Sequence, residues 1–204
     1  MVVIKNFAFI SAGSSRPEVL IMNDMRLKGK KIAILTSEMY EDLEFWYPYF
    51  RMMEEGADIE VVSMIESPVE ILSRHCYPLK TDKSAKEARP EDYDALIIPG
   101  GFAPEMLRRN EDVLRFVTAV FNQKKLVAAK CHGLLVLASA GLLLGKKATA
   151  KQDLQQEIAR QSRVDQGIKW LDQDVAVDGN LITSRTKWAL PMFCREIISA
   201  LTKK

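Results

Sequence analysis

From Lys31 onward the chain alternates short apolar runs with helix-periodic segments, and this alternation constrains the fold more than any other feature. "KKIAILT", "DIEVVSM", "DALIIPGG" and "LVAAK" read as buried strands, each short, apolar and bounded by polar or glycine residues. "EDLEFWYPYFRMMEEG" sets Leu43, Trp46, Tyr47, Phe50 and Met53 on one helical face stopped by Gly56, and Pro48 predicts a kink or a late start. "NEDVLRFVTAVFNQKK" places Val113, Phe116, Val117, Val120 and Phe121 at helical spacing behind an Asn110 cap. "LLVLASAGLL" reads as a buried helix, Asp153–Arg160 as a polar one and Leu190–Leu201 as a closing amphipathic one. "VAVDGNLITS" reads as a hairpin about Asp178–Gly179–Asn180, and the turn-rich stretch from Ser67 to Tyr93 as irregular with two short strands.

Such alternation predicts an α/β sandwich around a mainly parallel sheet. Residues 31–204 form one domain in this reading, and residues 1–30 an extension, partly loose or adding an edge strand at Val19–Met22. Ligands of parallel sheets sit beyond the carboxyl ends of the strands. Three strand ends therefore matter most, "LTSEMYED", "IIPGGFAPE" and "AAKCHG", and the same three carry the unusual chemistry.

The totals remove several functions. Lys and Arg number 29 against 27 Asp and Glu, a net charge of +2 that offers no electrostatic case for nucleic acid. No apolar run approaches the roughly 20 residues a bilayer span needs. The three cysteines read as free thiols of a reducing, cytoplasmic compartment. Two histidines, His75 and His132, lack ligand-like spacing, so neither a metal nor another cofactor is expected.

Cys131 has two readings. Free cysteine is commonly a small buried hydrophobe. Here, however, it lies where an apolar strand hands over to an apolar helix, with Gly133 two residues on, the pattern of a nucleophile elbow. Backbone N–H groups and the helix dipole at such a turn predict a lowered thiol pKa. His132 is either a base beside the thiol or a cap on the turn. Glu38, Glu41, Asp42 and Glu44 cluster after the first strand, mostly as solvated first-turn residues, with one of them near the thiol. The "PGGFAPE" glycines, Gly100 and Gly101, are either an oxyanion hole or a tight turn, and Glu105 is either functional or a helix-start residue.

Taken in order, "LTSEMYEDLEFWYPYFRM", "RHCYPLKTDKS", "DYDALIIPGGFAPEMLR", "VAAKCHGLLVLASAGLLLGKKAT" and "VDGNLITSR" resemble the ThiJ/PfpI family from Lys31 to about Leu201, especially its intracellular protease and deglycase branch. The resemblance implies a flavodoxin-like three-layer sandwich related to class I glutamine amidotransferases. It implies Cys131 as nucleophile, His132 as its partner, Glu41 as the acid bonded to the cysteine, and Glu105 completing a neighbouring subunit's site. It places the oxyanion hole at backbone groups around Gly100, Gly101, His132 and Gly133, and it implies a homodimer or hexamer.

The sequence departs from the family pattern at Leu134, where a proline is usual, and at Lys151 and Gln152 after the next strand. It departs again at Lys187, Trp188 and Ala189, and Lys130 is unexpected in a buried strand. The leading expectation is a cysteine-dependent hydrolase acting on a small carbonyl compound, a peptide or a glycated protein. The alternative is a non-catalytic stress-response, redox-sensing or chaperone-like protein. An amidase or isonitrile-hydratase-like enzyme is a third possibility, and the absence of an added helix-turn-helix segment argues against a transcription regulator.

Overall fold

The computed structural model describes residues 25–161 and 167–203. The strand expected at Val19–Met22 lies outside them. Residues just before Lys31 already belong to the packed body: Leu27 is fully buried and its N–H donates to the Glu55 carbonyl at 2.8 Å.

Eleven strands and six helices follow among the described residues. The first half runs β1 (Lys31–Leu35), α1 (Asp42–Glu54), β2 (Asp58–Ser63), β3 (Glu70–Leu72), β4 (Pro78–Lys80), β5 (Lys83–Ser84), β6 (Ala95–Ile98), α2 (Ala103–Leu107) and α3 (Glu111–Asn122). The second runs β7 (Leu126–Lys130), α4 (Leu134–Ser139), β8 (Lys147–Ala148), α5 (Gln152–Gln161), β9 (Lys169–Trp170), β10 (Val175–Asp178), β11 (Leu181–Ser184) and α6 (Leu190–Thr202).

Seven strands make the central sheet, in the order β10-β11-β7-β6-β1-β2-β5. Every neighbouring pair in it is parallel except the hairpin β10–β11. β6 and β7 are buried at every residue because helices cover both faces, so their sequences lack polar alternation. Helices α1 and α6 pack together on one side, while α4 meets α2 and α3 on the other. This is the α/β sandwich expected from the alternation, in the three-layer form that the family resemblance implies. β3 and β4 pair as the two short strands expected in the irregular segment, and β5 beside them joins the sheet edge at β2.

Asn110 caps α3 as expected, its side chain accepting from the Val113 N–H at 3.0 Å, and the five apolar residues of that helix are buried. Helix α1 differs. Its buried residues are Glu44, Phe45, Pro48 and Met52, whereas Leu43, Tyr47 and Phe50 point outward. Apolar residues ring most of this helix, so periodicity alone leaves its rotation open. Packing against β2 and α6 sets the rotation and turns Glu44 inward.

Candidate active site

The chain leaves β1 for β2 on one side and later enters β6 on the other, so the order of strands reverses at β1. A parallel sheet opens a crevice at such a switch point. The ends of β1, β6 and β7 border it, and they are the three segments singled out by their chemistry.

Cys131 follows β7 directly and has φ of +50°. A residue with a Cβ is strained there by about 1–2 kcal/mol, so the surrounding packing must hold the turn. Part of the reason is Gly133, where a Cβ would lie 2.3 Å from the Ile98 carbonyl oxygen. Only glycine lets the CHG turn close down on the end of β6, so Gly133 serves close approach. Cys131 stays half-buried, with its Sγ 3.3 Å from Nδ1 of the half-buried His132.

Gly100 is the junction of the site. A Cβ on it would sit 2.5 Å from Glu44 Oε2, 2.9 Å from Cys131 Cβ and 3.2 Å from the His132 nitrogen. Its own N–H donates to Glu44 Oε2 at 3.0 Å. Gly101, at φ +91°, has its Cβ position occupied by the Glu41 nitrogen at 2.5 Å.

The carboxylate that reaches this junction is therefore that of Glu44. The Glu41 side chain instead accepts from the Glu44 N–H at 2.8 Å and is the N-cap of α1. Glu41 and Glu44 stand at the N-cap and three residues beyond, where the first carboxylate is drawn to orphan N–H groups of the helix start. Sequence reading had Glu44 among four carboxylates, one of them expected near the thiol, and the family resemblance singled out Glu41; Glu44 shares with Pro48 and Met52, at spacings of four, the face that is buried.

Glu105 lies on α2, with its carboxylate 3.4 Å from Arg108 and 3.3 Å from Arg109. Beside His132 opens a pocket of about 370 Å³, bounded on the α5 side by Asp153, Leu154, Glu157, Arg160 and Gln161.

Burial governs the electrostatics. It raises the Glu44 carboxyl above the usual range, against the pull of Lys130 and the Gly100 N–H. Burial, with the Glu44 charge second, pushes the Cys131 thiol up to about 11, and the His132 N–H and Lys130 oppose it. The lowered thiol pKa expected from the helix dipole is thus reversed. The helix after the turn is only Leu134–Ser139, and so short a dipole does not offset desolvation of the thiolate.

The DJ-1/PfpI family pattern matches residues 30–200. The chain belongs to the DJ-1/PfpI family. The deglycase PfpI of Pyrococcus furiosus is 38% identical over 171 residues, 84% of this chain and 99% of the relative. The putative cysteine protease YraA of Bacillus subtilis is 34% identical over 172 residues, 84% of this chain and 98% of that one. Among solved structures, a two-domain protein of Anabaena variabilis with DJ-1/ThiJ/PfpI-like and ferritin-like domains superposes with a TM-score of 0.78 at 36% identity. That match covers 84% of this chain, which spans 48% of the longer protein. Drosophila melanogaster DJ-1beta shares the fold at a TM-score of 0.76 and 21% identity, over 86% of this chain and 91% of its own. No helix of the described residues is long and apolar enough to cross a membrane.

Proposed function

We propose that the protein is a cysteine-dependent hydrolase of the DJ-1/PfpI family, acting on carbonyl compounds of the peptide, glycated-amine or dicarbonyl type. The observation that carries this reading is the meeting of Glu44 Oε2, the Gly100 N–H and the strained Cys131 at one point of the crevice. The deglycase and cysteine-protease names of the relatives agree with it.

In this reading Cys131 attacks the substrate carbonyl carbon while Glu44 takes the thiol proton. The carbon–sulfur bond forms as the carbonyl π pair moves onto oxygen. The Gly101 and His132 N–H groups receive that oxyanion, because the Gly100 N–H is already given to Glu44. With a peptide, the proton taken by Glu44 passes through His132, in contact with the thiol, to the leaving amine, and water then cleaves the thioester, giving the free acid and returning a proton to the sulfur. A dicarbonyl has no leaving amine and is held as a hemithioacetal, its oxygen taking that proton. A thiol held up to about 11 is protonated at rest, which weighs against a resting redox sensor, since oxidation starts from the thiolate.

Assembly belongs to the same proposal. The outward residues Leu43, Tyr47 and Phe50 of α1, with exposed Tyr77 nearby through its edge contact with Trp46, make an apolar face suited to a second copy. The trans role for Glu105 likewise requires a neighbouring copy of the chain.

The test compares wild type with Cys131→Ala and Glu44→Gln on methylglyoxal, a glycated amino acid and a casein-type peptide. Loss of turnover on at least one substrate in both variants supports the reading. Full activity of Cys131→Ala on every substrate that wild type turns over removes it.

A further inference from the structure

Lys151 lies between β8 and α5, at one of the positions where the sequence departs from its family pattern. It is exposed, and an exposed lysine is ordinarily a solvated surface charge. Its place in the fold sets it apart. β8 runs beside the β10–β11 hairpin toward the carboxyl edge of the sheet. The Lys147 N–H donates to Asp178 at 2.8 Å, before β11 starts, and the Thr149 N–H donates to Thr183 Oγ1 at 2.9 Å, near the end of β11. Thr183 is in turn paired in register with Ala129 of β7. Thr149 and Ala129 thus flank Thr183 at one level, and Lys151 and Cys131 each follow two residues later, at the same edge of the sheet. The residue after Lys151 begins α5, the helix that faces His132 across the pocket of about 370 Å³. The other charges of that wall are engaged along the helix itself. Asp153 accepts the Leu154 N–H at 2.8 Å, Glu157 accepts from the Gln161 side chain at 2.9 Å, and Arg160 donates to the Gln156 carbonyl at 3.2 Å. The Lys151 ammonium has no hydrogen bond or ion pair among the described residues. Of the charges on this side it also bears most on Cys131 and Glu44.

We infer that Lys151 is a specificity-determining residue, which selects carbonyl substrates that carry a carboxylate on the reacting carbon, 2-oxo acids of the glyoxylate type. The inference names a substrate class for the proposed site and rests on that reading. The sulfur adds to the aldehyde carbon of such a substrate and the carbon–sulfur bond forms. The carbonyl π pair moves onto oxygen, and the proton of the thiol ends there. The product is a hemithioacetal with its carboxylate on the carbon bonded to sulfur, and no electrons enter or leave. That carboxylate and the developing oxyanion bring negative charge together at one point, and like charges so close repel. An unpaired ammonium at the same edge of the sheet offsets the repulsion. Methylglyoxal carries an uncharged acetyl group in place of the carboxylate and takes nothing from Lys151. The site thereby separates two aldehydes of similar size by charge alone.

The test pairs two alkylating reagents, iodoacetate and iodoacetamide, which differ only in a carboxylate against a carboxamide beside the reacting carbon. Their rates at Cys131 are followed by mass spectrometry at one pH, site by site, so that exposed Cys76 is counted separately. The ratio of the two rates cancels the thiolate fraction and reads how the site receives a carboxylate. Lys151→Gln should lower the iodoacetate-to-iodoacetamide ratio at least about threefold, and Lys151→Arg should keep it. A second measurement uses the aldehydes themselves, as protectants of Cys131 against iodoacetamide. The glyoxylate concentration that gives half protection should rise by about the same factor in Lys151→Gln, and that of methylglyoxal should move less. An equal reagent ratio in wild type and Lys151→Gln, or equal shifts for the two aldehydes, would overturn the inference. Neither measurement uses turnover. A protein that passes both while Cys131→Ala stays fully active loses the proposed function alone, and one that fails them while Cys131→Ala is inactive loses this inference alone.

Discussion

Glu44 Oε2 and the Gly100 nitrogen are 3.0 Å apart, one hydrogen bond joining the inward face of α1 to the loop after β6. This bond brings a carboxylate from one strand end against the cysteine turn of another, and both partners are buried. It also occupies the N–H that a sequence reading assigns to an oxyanion hole.

Gly100→Ala should injure both stability and activity. The added methyl lies 2.9 Å from Cys131 Cβ and 3.2 Å from the His132 nitrogen, neither of which can swing away as the Glu44 carboxylate can. Urea unfolding should report a loss of about 1–3 kcal/mol, the usual cost of overpacking. Turnover should fall by at least about tenfold beyond the unfolded fraction, because a 1 Å displacement of reacting groups suffices for that. An alanine variant as stable and active as wild type would contradict the junction described here.

The two glutamates of α1 should separate cleanly. Glu41→Ala removes an N-cap and should lower stability by about 1 kcal/mol while leaving most of the turnover. Glu44→Gln keeps the shape of the buried side chain and should abolish most turnover in a folded protein. Thermal unfolding and initial rates on the same preparations decide it, and a reversed pattern would return the acid role to Glu41.

Acid should weaken the fold through Glu55. Hydrogen bonds from Arg26 and Arg51 hold this carboxyl down at about 2, against an ordinary value of 4.5. Its folded-state pKa is depressed, so its stabilisation is present above about pH 4.5 and is lost as pH falls toward 2. With solvent screening around half-exposed Arg26, the contribution is about 2 kcal/mol. Urea midpoints at pH 6 and pH 3 should therefore converge in Glu55→Gln relative to wild type. An equal acid loss in both proteins would assign the effect elsewhere.

A charge on the outward face of α1 should break assembly without unfolding the chain. Phe50 is 53% and Leu43 54% exposed, so Phe50→Glu or Leu43→Glu costs little in the isolated fold. Light scattering should give an oligomer for wild type and a smaller species for the variants. A wild type that remains monomeric at tens of micromolar, about the range where stable assemblies persist, would remove the role proposed for Glu105 in a neighbouring site.

The layers and the place of the site were legible because they rest on local patterns. Short apolar strands bounded by polar residues predict the parallel sheet, and Asn110 with Val113 predicts a capped helix that the structure contains. The CHG turn was legible for the same reason, since an apolar strand, a cysteine and a close-approach glycine are neighbours in the chain. The rotation of α1 was not. Its aromatic and aliphatic residues surround the helix, so Leu43, Tyr47 and Phe50 satisfy the same periodicity as Phe45, Pro48 and Met52, and only the packing partner selects between the two faces.

The amino-acid sequence by itself determined the α/β architecture, the family and the cysteine at the strand end. Which carboxylate faces that cysteine, how far burial raises its thiol, and which groups the lysine ending β7 meets were decided only by the tertiary structure. The physical reason is that hydrogen bonding and desolvation depend on groups distant in the chain: Glu44 meets Gly100 across 56 positions and Lys130 meets Thr186 across another 56. Local patterning places a residue on an element, and the fold alone chooses its neighbours.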